Sequence, residues 1–247
     1  MDRKKGLPTA TIILYAILLT FTCLSCGFTP ETMFYGLKQT KVPIYLPELE
    51  PTTSTQDYKV ALNLGIAFTD ALACVYKEDQ AASPRYTGMV YDYAKKLGVP
   101  ETVLRKLGGI TAAMDQGNWQ MVLKLSEEFG IEVRGELEKT GKKDYSILAF
   151  SACDLEGLYI TAKSVNGRFS PESAKLLLHP YLVKNLEERL KSLSVGVQTR
   201  KEVRAIMAAL PRIDQIINRH KDYTYTQSDA QELISICEPL RQTLLKD

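Results

Sequence analysis

Histidine is almost missing from this chain. Its 247 residues carry only His179 and His220, with one tryptophan and five cysteines. A di-metal carboxylate site needs Glu-x-x-His pairs on facing helices, and neither histidine provides one. Gly-x-Ser-x-Gly, a phosphate-binding loop, His-Glu-x-x-His and Gly-x-Gly-x-x-Gly are missing as well. The common catalytic, metal and dinucleotide constellations are therefore unsupported, and no catalytic residue, metal or cofactor is expected. Both histidines fall at expected helix ends, where a cation suits the negative end of the dipole. Net charge is also scarce: 31 Lys and Arg against 29 Asp and Glu leave a formal +2. Such a balance offers no field for steering toward nucleic acid, so no nucleic-acid partner is expected. Alternating strand patterns and a repeat of constant period are both lacking, which disfavours sheets and solenoids.

What is present begins at the first residue. Asp2, Arg3, Lys4 and Lys5 form a charged start, Ala10 to Leu24 is an almost uninterrupted apolar run, and Leu24, Ser25 and Cys26 close it. That order is the layout of a secretory signal, whose apolar region of about 7 to 15 residues is short for a membrane span. Leu24-Ser25-Cys26 resembles the lipobox of bacterial lipoproteins, with Cys23 standing where the lipobox usually has leucine. The resemblance implies a signal peptide over 1–25, a diacylglycerol on the Cys26 thiol and Cys26 as the first mature residue. It further implies an envelope protein anchored to the membrane through its lipid. Gly27 in place of the aspartate that retains lipoproteins at an inner membrane points to an outer membrane, facing the periplasm, where the cell has two. Because the leader carries three bases and one acid, the mature 222 residues balance 28 bases against 28 acids. Membrane contact then comes from acyl chains alone.

Cleavage separates Cys23 from Cys26, so their C-x-x-C spacing is not a redox motif. Cys74, Cys153 and Cys237 remain. Cys74 and Cys153 both lie in very apolar helical segments and are the candidate disulfide pair in an oxidising compartment; the alternative is that they are buried as small hydrophobes.

From 26 to 54, Pro30, Pro43, Pro47 and Pro51 interrupt any period, which reads as a lipidated cysteine and a proline-rich tether. The alternative is that Val42 to Leu46 packs along the domain as a strap. Residues 55–247 read as one all-α, irregular bundle of about seven to nine helices. The signals are Ser54 with Asp57, Ser83-Pro84 to Gly98, Pro100 to Gly117, Asn118 to Gly141, and Lys143 to Val165. Ser170-Pro171 opens a segment divided at Pro180. Thr199 with Glu202 and Ser228 with Gln231 then cap two helices, bent at Pro211 and interrupted at Pro239. Trp119 reads as a packing anchor, and Tyr223 and Tyr225 as a loop.

Two helices differ from the rest. Val60 to Tyr76 and Ile147 to Ala162 are apolar nearly all round, and a helix without a polar face is surrounded by others. They are expected at the centre of the bundle, and as core rather than membrane spans, being short with a carboxylate near the middle of each. Leu62-Asn63-Leu64-Gly65 through Asp70, and Leu155-Glu156-Gly157-Leu158-Tyr159-Ile160-Thr161, are similar to two stretches of a group of helical bacterial lipoproteins. That similarity implies an all-α envelope protein and brings no catalytic residue with it.

Asp70, Asp154 and Glu156 are the carboxylates inside these helices, and Asn63 stands one heptad before Asp70. A buried unpaired charge is costly, so each needs a partner, a proton or water. One reading is a polar ligand pocket with Tyr76 and Tyr159 as hydroxyl donors, which would make the protein a small-ligand binder or an enzyme. The other is that these groups only fix the packing, which leaves a non-catalytic binding or scaffolding module whose partner is another envelope protein.

Overall fold

The computed structural model describes residues 29–220 and 224–246; the expected signal peptide, Cys26, Gly27 and Tyr223 lie outside these. Among the described residues there is no strand, and the chain is an all-α bundle. Its helices are α1 (Pro30–Gln39), α2 (Asp57–Lys77), α3 (Ser83–Lys96), α4 (Glu101–Leu104), α5 (Lys106–Asp115), α6 (Trp119–Lys139), α7 (Lys143–Gly167), α8 (Pro171–Ala174), α9 (Leu182–Lys191), α10 (Val195–Gln198), α11 (Lys201–Ile217) and α12 (Gln227–Leu245). Nine of these have ten residues or more.

Local chemistry sets most boundaries. Asn118 caps α6 by accepting from the Met121 N–H at 3.2 Å. Ser170 and Ser173 close a reciprocal capping box on α8. Gly98 and Gly141 come after α3 and α6 with φ of +80° and +76°, a conformation that turns the chain off a helix end. Two caps move relative to the sequence reading. The box on α12 is Thr226 with Asp229 rather than Ser228 with Gln231, and α11 starts after Arg200, which places Glu202 inside its first turn. Pro239 does not interrupt α12. A proline removes one helical hydrogen bond and crowds the turn before it, while buried Leu233, Ile236, Leu240 and Leu244 hold the helix on both sides of it. Trp119 packs against the core at the start of α6, as an anchor should.

Helices α2 and α7 are the centre, and they pack on each other more extensively than any other pair. Gly65 faces Ala149 and Ala152, and the Thr69 hydroxyl donates to the Cys153 carbonyl at 3.3 Å. Partners advance together along both helices, so α2 and α7 run parallel. The pairing reverses on α12, where Lys59 meets Lys246, Asn63 meets Leu244 and Asp70 meets Arg241. Helix α12 is thus antiparallel to both. By length and composition α2 could cross a membrane, so its shortness does not decide the matter; burial does, since 89% of its most apolar window is inside the protein.

Two expectations are corrected here. Residues 29–54 are not a free tether. Met33, Phe34 and Leu37 of α1 are 0–1% exposed, because Pro30 fits the first turn of α1 and Pro43, Pro47 and Pro51 fall in the extended segment after it, while the apolar residues between them find the core. Residues 42–52 then cross the bundle as a strap, over a longer stretch than Val42 to Leu46. Nor do Cys74 and Cys153 form a disulfide: among the described residues Cys74, Cys153 and Cys237 are free and buried. The Cys153 thiol donates to the Gly65 carbonyl at 3.3 Å. Cys74 lies nine residues beyond Gly65, about 13 Å of helical rise, whereas a disulfide needs Cα atoms within about 7 Å. Burial pushes the Cys74 and Cys237 thiols up to about 12, so neither is a thiolate nucleophile at neutral pH.

Candidate functional site

The parallel crossing of α2 and α7 brings Asp70 and Glu156 together, and α12 drives Arg241 between them. Its Nε donates to Glu156 Oε1 at 2.8 Å and its Nη2 to Asp70 Oδ2 at 3.3 Å. The Arg241 Nη1 reaches the Glu48 carbonyl of the strap at 3.3 Å. Asp70 is 0% exposed, Glu156 2% and Arg241 6%. The guanidinium also stands 5.8 Å from the centre of the Tyr159 ring.

Two carboxylates around one cation leave a surplus negative charge in a water-poor interior. Burial, and next the charge of Glu156, hold the Asp70 carboxyl well above the usual carboxylate range, with Arg241 opposing. Burial raises Glu156 too, against the pull of Arg241. A proton on Asp70 would resolve the imbalance, because a neutral Asp70 beside Glu156 leaves Glu156 as the single charge for Arg241 to balance.

The other predicted residues divide. Tyr159 belongs to the cluster, its hydroxyl donating to Glu238 at 3.0 Å. Asn63 lies on the same stripe of α2, where its amide donates to the carbonyls of Lys59 at 2.9 Å and Leu244 at 3.3 Å. Asp154 faces another direction and pairs with Arg189 of α9. Tyr76 is elsewhere again, edge-on to Phe34 at 6.0 Å between ring centres. The space left beside Glu156, Tyr159 and Arg241 is about 10 Å³, at the lower limit for one water molecule. As folded, the cluster admits no organic ligand.

Asp154 gives a pH test. Burial pushes its carboxyl up to about 6 although Arg189 pulls it down. A carboxyl that holds its proton more tightly folded than unfolded contributes most below the unfolded value, near 4. That contribution is lost as pH rises toward 6, on the order of 2 to 3 kcal/mol. Thermal melts should show Tm falling over that window, and Asp154→Asn should reduce the slope; an unchanged slope assigns it to other groups.

Sequence reading missed the cations. Arg241 stands four residues after Cys237 and three before Leu244, on the buried stripe of α12, and that spacing was the available signal. It also missed a second buried pair. Glu202 is 0% exposed and Lys59 3%. Lys59 Nζ stands 3.7 Å from Glu202 Oε1 and donates to the Lys246 carbonyl at 2.7 Å. His220 sits just past the end of α11, as expected, but His179 departs from the helix-end cation reading. Burial lowers His179 to about 3, so it is neutral, because desolvation outweighs any helix-end field. His220 Nε2 lies 3.0 Å from Asp229 Oδ2. Tyr225 lies in the loop before α12, as its sequence context indicates, and is buried there with its hydroxyl donating to the Ile217 carbonyl.

Among the described residues, no group of three or more His, Cys, Asp or Glu could hold a metal ion. The chain matches no protein-family model, no curated protein and no solved structure.

Proposed function

We propose that the protein is a membrane-anchored envelope lipoprotein whose helical domain is a non-catalytic binding or scaffolding module. The observation that carries the second half is the closure of the Asp70–Glu156–Arg241 cluster. The carboxylates that would serve a ligand or a reaction are taken up internally, by a cation on a third helix, with about 10 Å³ left over. A buried ion cluster of this kind fixes how three helices pack. The anchor half rests on the charged start, apolar run and Leu24-Ser25-Cys26 of the leader. Two or more long acyl chains on Cys26 hold a protein durably at a bilayer, where one short chain does not. The partner in this reading is another envelope protein, met at the outer membrane on its periplasmic side where there are two membranes.

Cys26→Ala tests it. In native cells the variant should lose all acyl labelling and move from the membrane to the soluble fraction, with its helical circular dichroism and Tm unchanged. Labelling or sedimentation that persists in Cys26→Ala removes the anchor.

A further inference from the structure

Residues 42–52 are the one long extended stretch among the described residues, and they lie in a groove rather than in a sheet. Val42, Ile44, Pro47 and Leu49 are buried while Pro43, Tyr45, Glu48 and Glu50 are exposed. Buried and exposed residues alternate within each half of the stretch, and the phase shifts by one residue at the half-buried Leu46, so the segment is an extended chain without the unbroken two-residue period of a β-strand. Its main chain is held by side chains. The Tyr45 N–H donates to Ser164 Oγ at 2.8 Å, and the Thr52 N–H donates to the Tyr93 hydroxyl at 2.9 Å. Three successive carbonyls are read as well: Pro47 by the Tyr86 hydroxyl at 2.7 Å, Glu48 by Arg241 at 3.3 Å and Leu49 by Arg85 at 2.5 Å. The readers come from α3, α7 and α12.

Main-chain contacts give affinity for any extended backbone, and pockets for alternate side chains give specificity. Prolines suit such a groove, because they preorganise the extended chain and lack a donor that would need a partner. We propose that this groove is a recognition site for an extended, proline-punctuated peptide segment of another protein, and that residues 42–52 are its built-in occupant. The inference rests on the binding-module reading and names the class of partner. Such a segment carries apolar residues at alternating positions, as Val42 and Ile44 do, and a further one where Leu49 sits. The occupant is covalently linked, so it competes at a high effective concentration, and a partner binds tightly only when the strap is loosened. Arg241 ties the groove to the interior, since one guanidinium holds both the Glu48 carbonyl and the buried carboxylates.

The test uses the full chain and a fluorescent synthetic copy of residues 41–54, with a scrambled peptide as control. Leu49→Ala weakens the resident strap without altering a reader. It should bind the peptide at least tenfold more tightly than the unaltered protein does, and adding Tyr86→Phe should reverse at least threefold of that gain. Equal binding by Leu49→Ala and the unaltered protein, or equal binding of the scrambled peptide, overturns the proposal. Hydrogen exchange on the unaltered protein decides the matter if Leu49→Ala fails to fold. The Tyr45 and Thr52 amides should exchange at least a hundredfold faster than amides at the middle of α7, because the strap opens while the helices stay closed. Exchange at one common rate overturns it. Failure here leaves an anchored module with another class of partner, whereas failure of the anchor reading appears in the Cys26→Ala fractionation and leaves peptide binding by the helical domain unchanged.

Discussion

Arg241→Met should lower the stability of the folded domain by about 3 to 5 kcal/mol, the usual result of removing one partner from a buried charge cluster. For a domain of this size that is a fall in Tm of about 6 to 20 °C. Methionine fills much of the volume but leaves Glu156 without its 2.8 Å partner and the Glu48 carbonyl without its donor. The loss should deepen with pH. Without the guanidinium both carboxyls prefer to stay protonated when folded, so the penalty grows as pH climbs above the unfolded value near 4. Asp70→Asn is the counterpart. A protonated carboxyl and an amide have nearly the same shape and both can donate to Glu156, so this variant should shift Tm by a few degrees at most. A large loss in Asp70→Asn would mean that Asp70, not Glu156, is the ionised partner, and a small loss in Arg241→Met would mean that neither carboxyl is ionised in the folded protein.

Gly65→Ala should be the next largest effect, and it reads the helix crossing directly. A Cβ at Gly65 would lie 2.0 Å from the Ala149 carbonyl oxygen and 2.9 Å from the Ala152 Cβ. The first of these is backbone and cannot rotate away, so α2 and α7 must separate along the contact that centres the bundle. Overpacking of this kind costs about 1 to 3 kcal/mol and sometimes more, against a gain of about 0.5 to 1 kcal/mol from replacing a helical glycine. The exposed Gly88 in α3 has nothing within 4 Å of its would-be Cβ, so Gly88→Ala should show that gain alone and raise Tm. Denaturant melts of the two variants should therefore move in opposite directions. A neutral or stabilising Gly65→Ala would mean that the two helices do not cross this closely.

The range of each interaction determined how much of this was visible in the residues. Helices α2, α3, α6 and α7 were readable to within a few residues, because their signals are local. Asn118 caps the helix that begins at Trp119, Gly98 and Gly141 turn the chain away from the helices before them, and runs such as Val60 to Tyr76 announce burial on every side. The tether was misread for the same reason. Four prolines among threonines look the same whether the chain hangs in water or lies in a groove, and only Tyr86, Tyr93, Arg85, Ser164 and Arg241 distinguish the two. The candidate disulfide failed because two apolar helices can pack in either direction and register. Parallel packing with Gly65 against Ala149 carries Cys74 past Cys153.

The candidate site was half legible. Asp70, Glu156 and Tyr159 do meet, and their presence in all-apolar helices was enough to single them out. Asp154 and Tyr76 do not join them, since positions along one helix point to different neighbours and the neighbours are not written in that helix. Arg241 is separated from Asp70 by 171 residues, and no local pattern predicts a pairing of that span.

By itself, then, the sequence determined which segments are helical, where most of them stop, and which two had to be enclosed, since backbone geometry and burial are dictated by near neighbours. Tertiary structure alone decided that those two run parallel, that a third helix delivers the cation their carboxylates require, and that the proline segment is bound rather than loose. Charge pairing and groove filling depend on residues brought together across the whole chain, and such encounters exist only once it has folded.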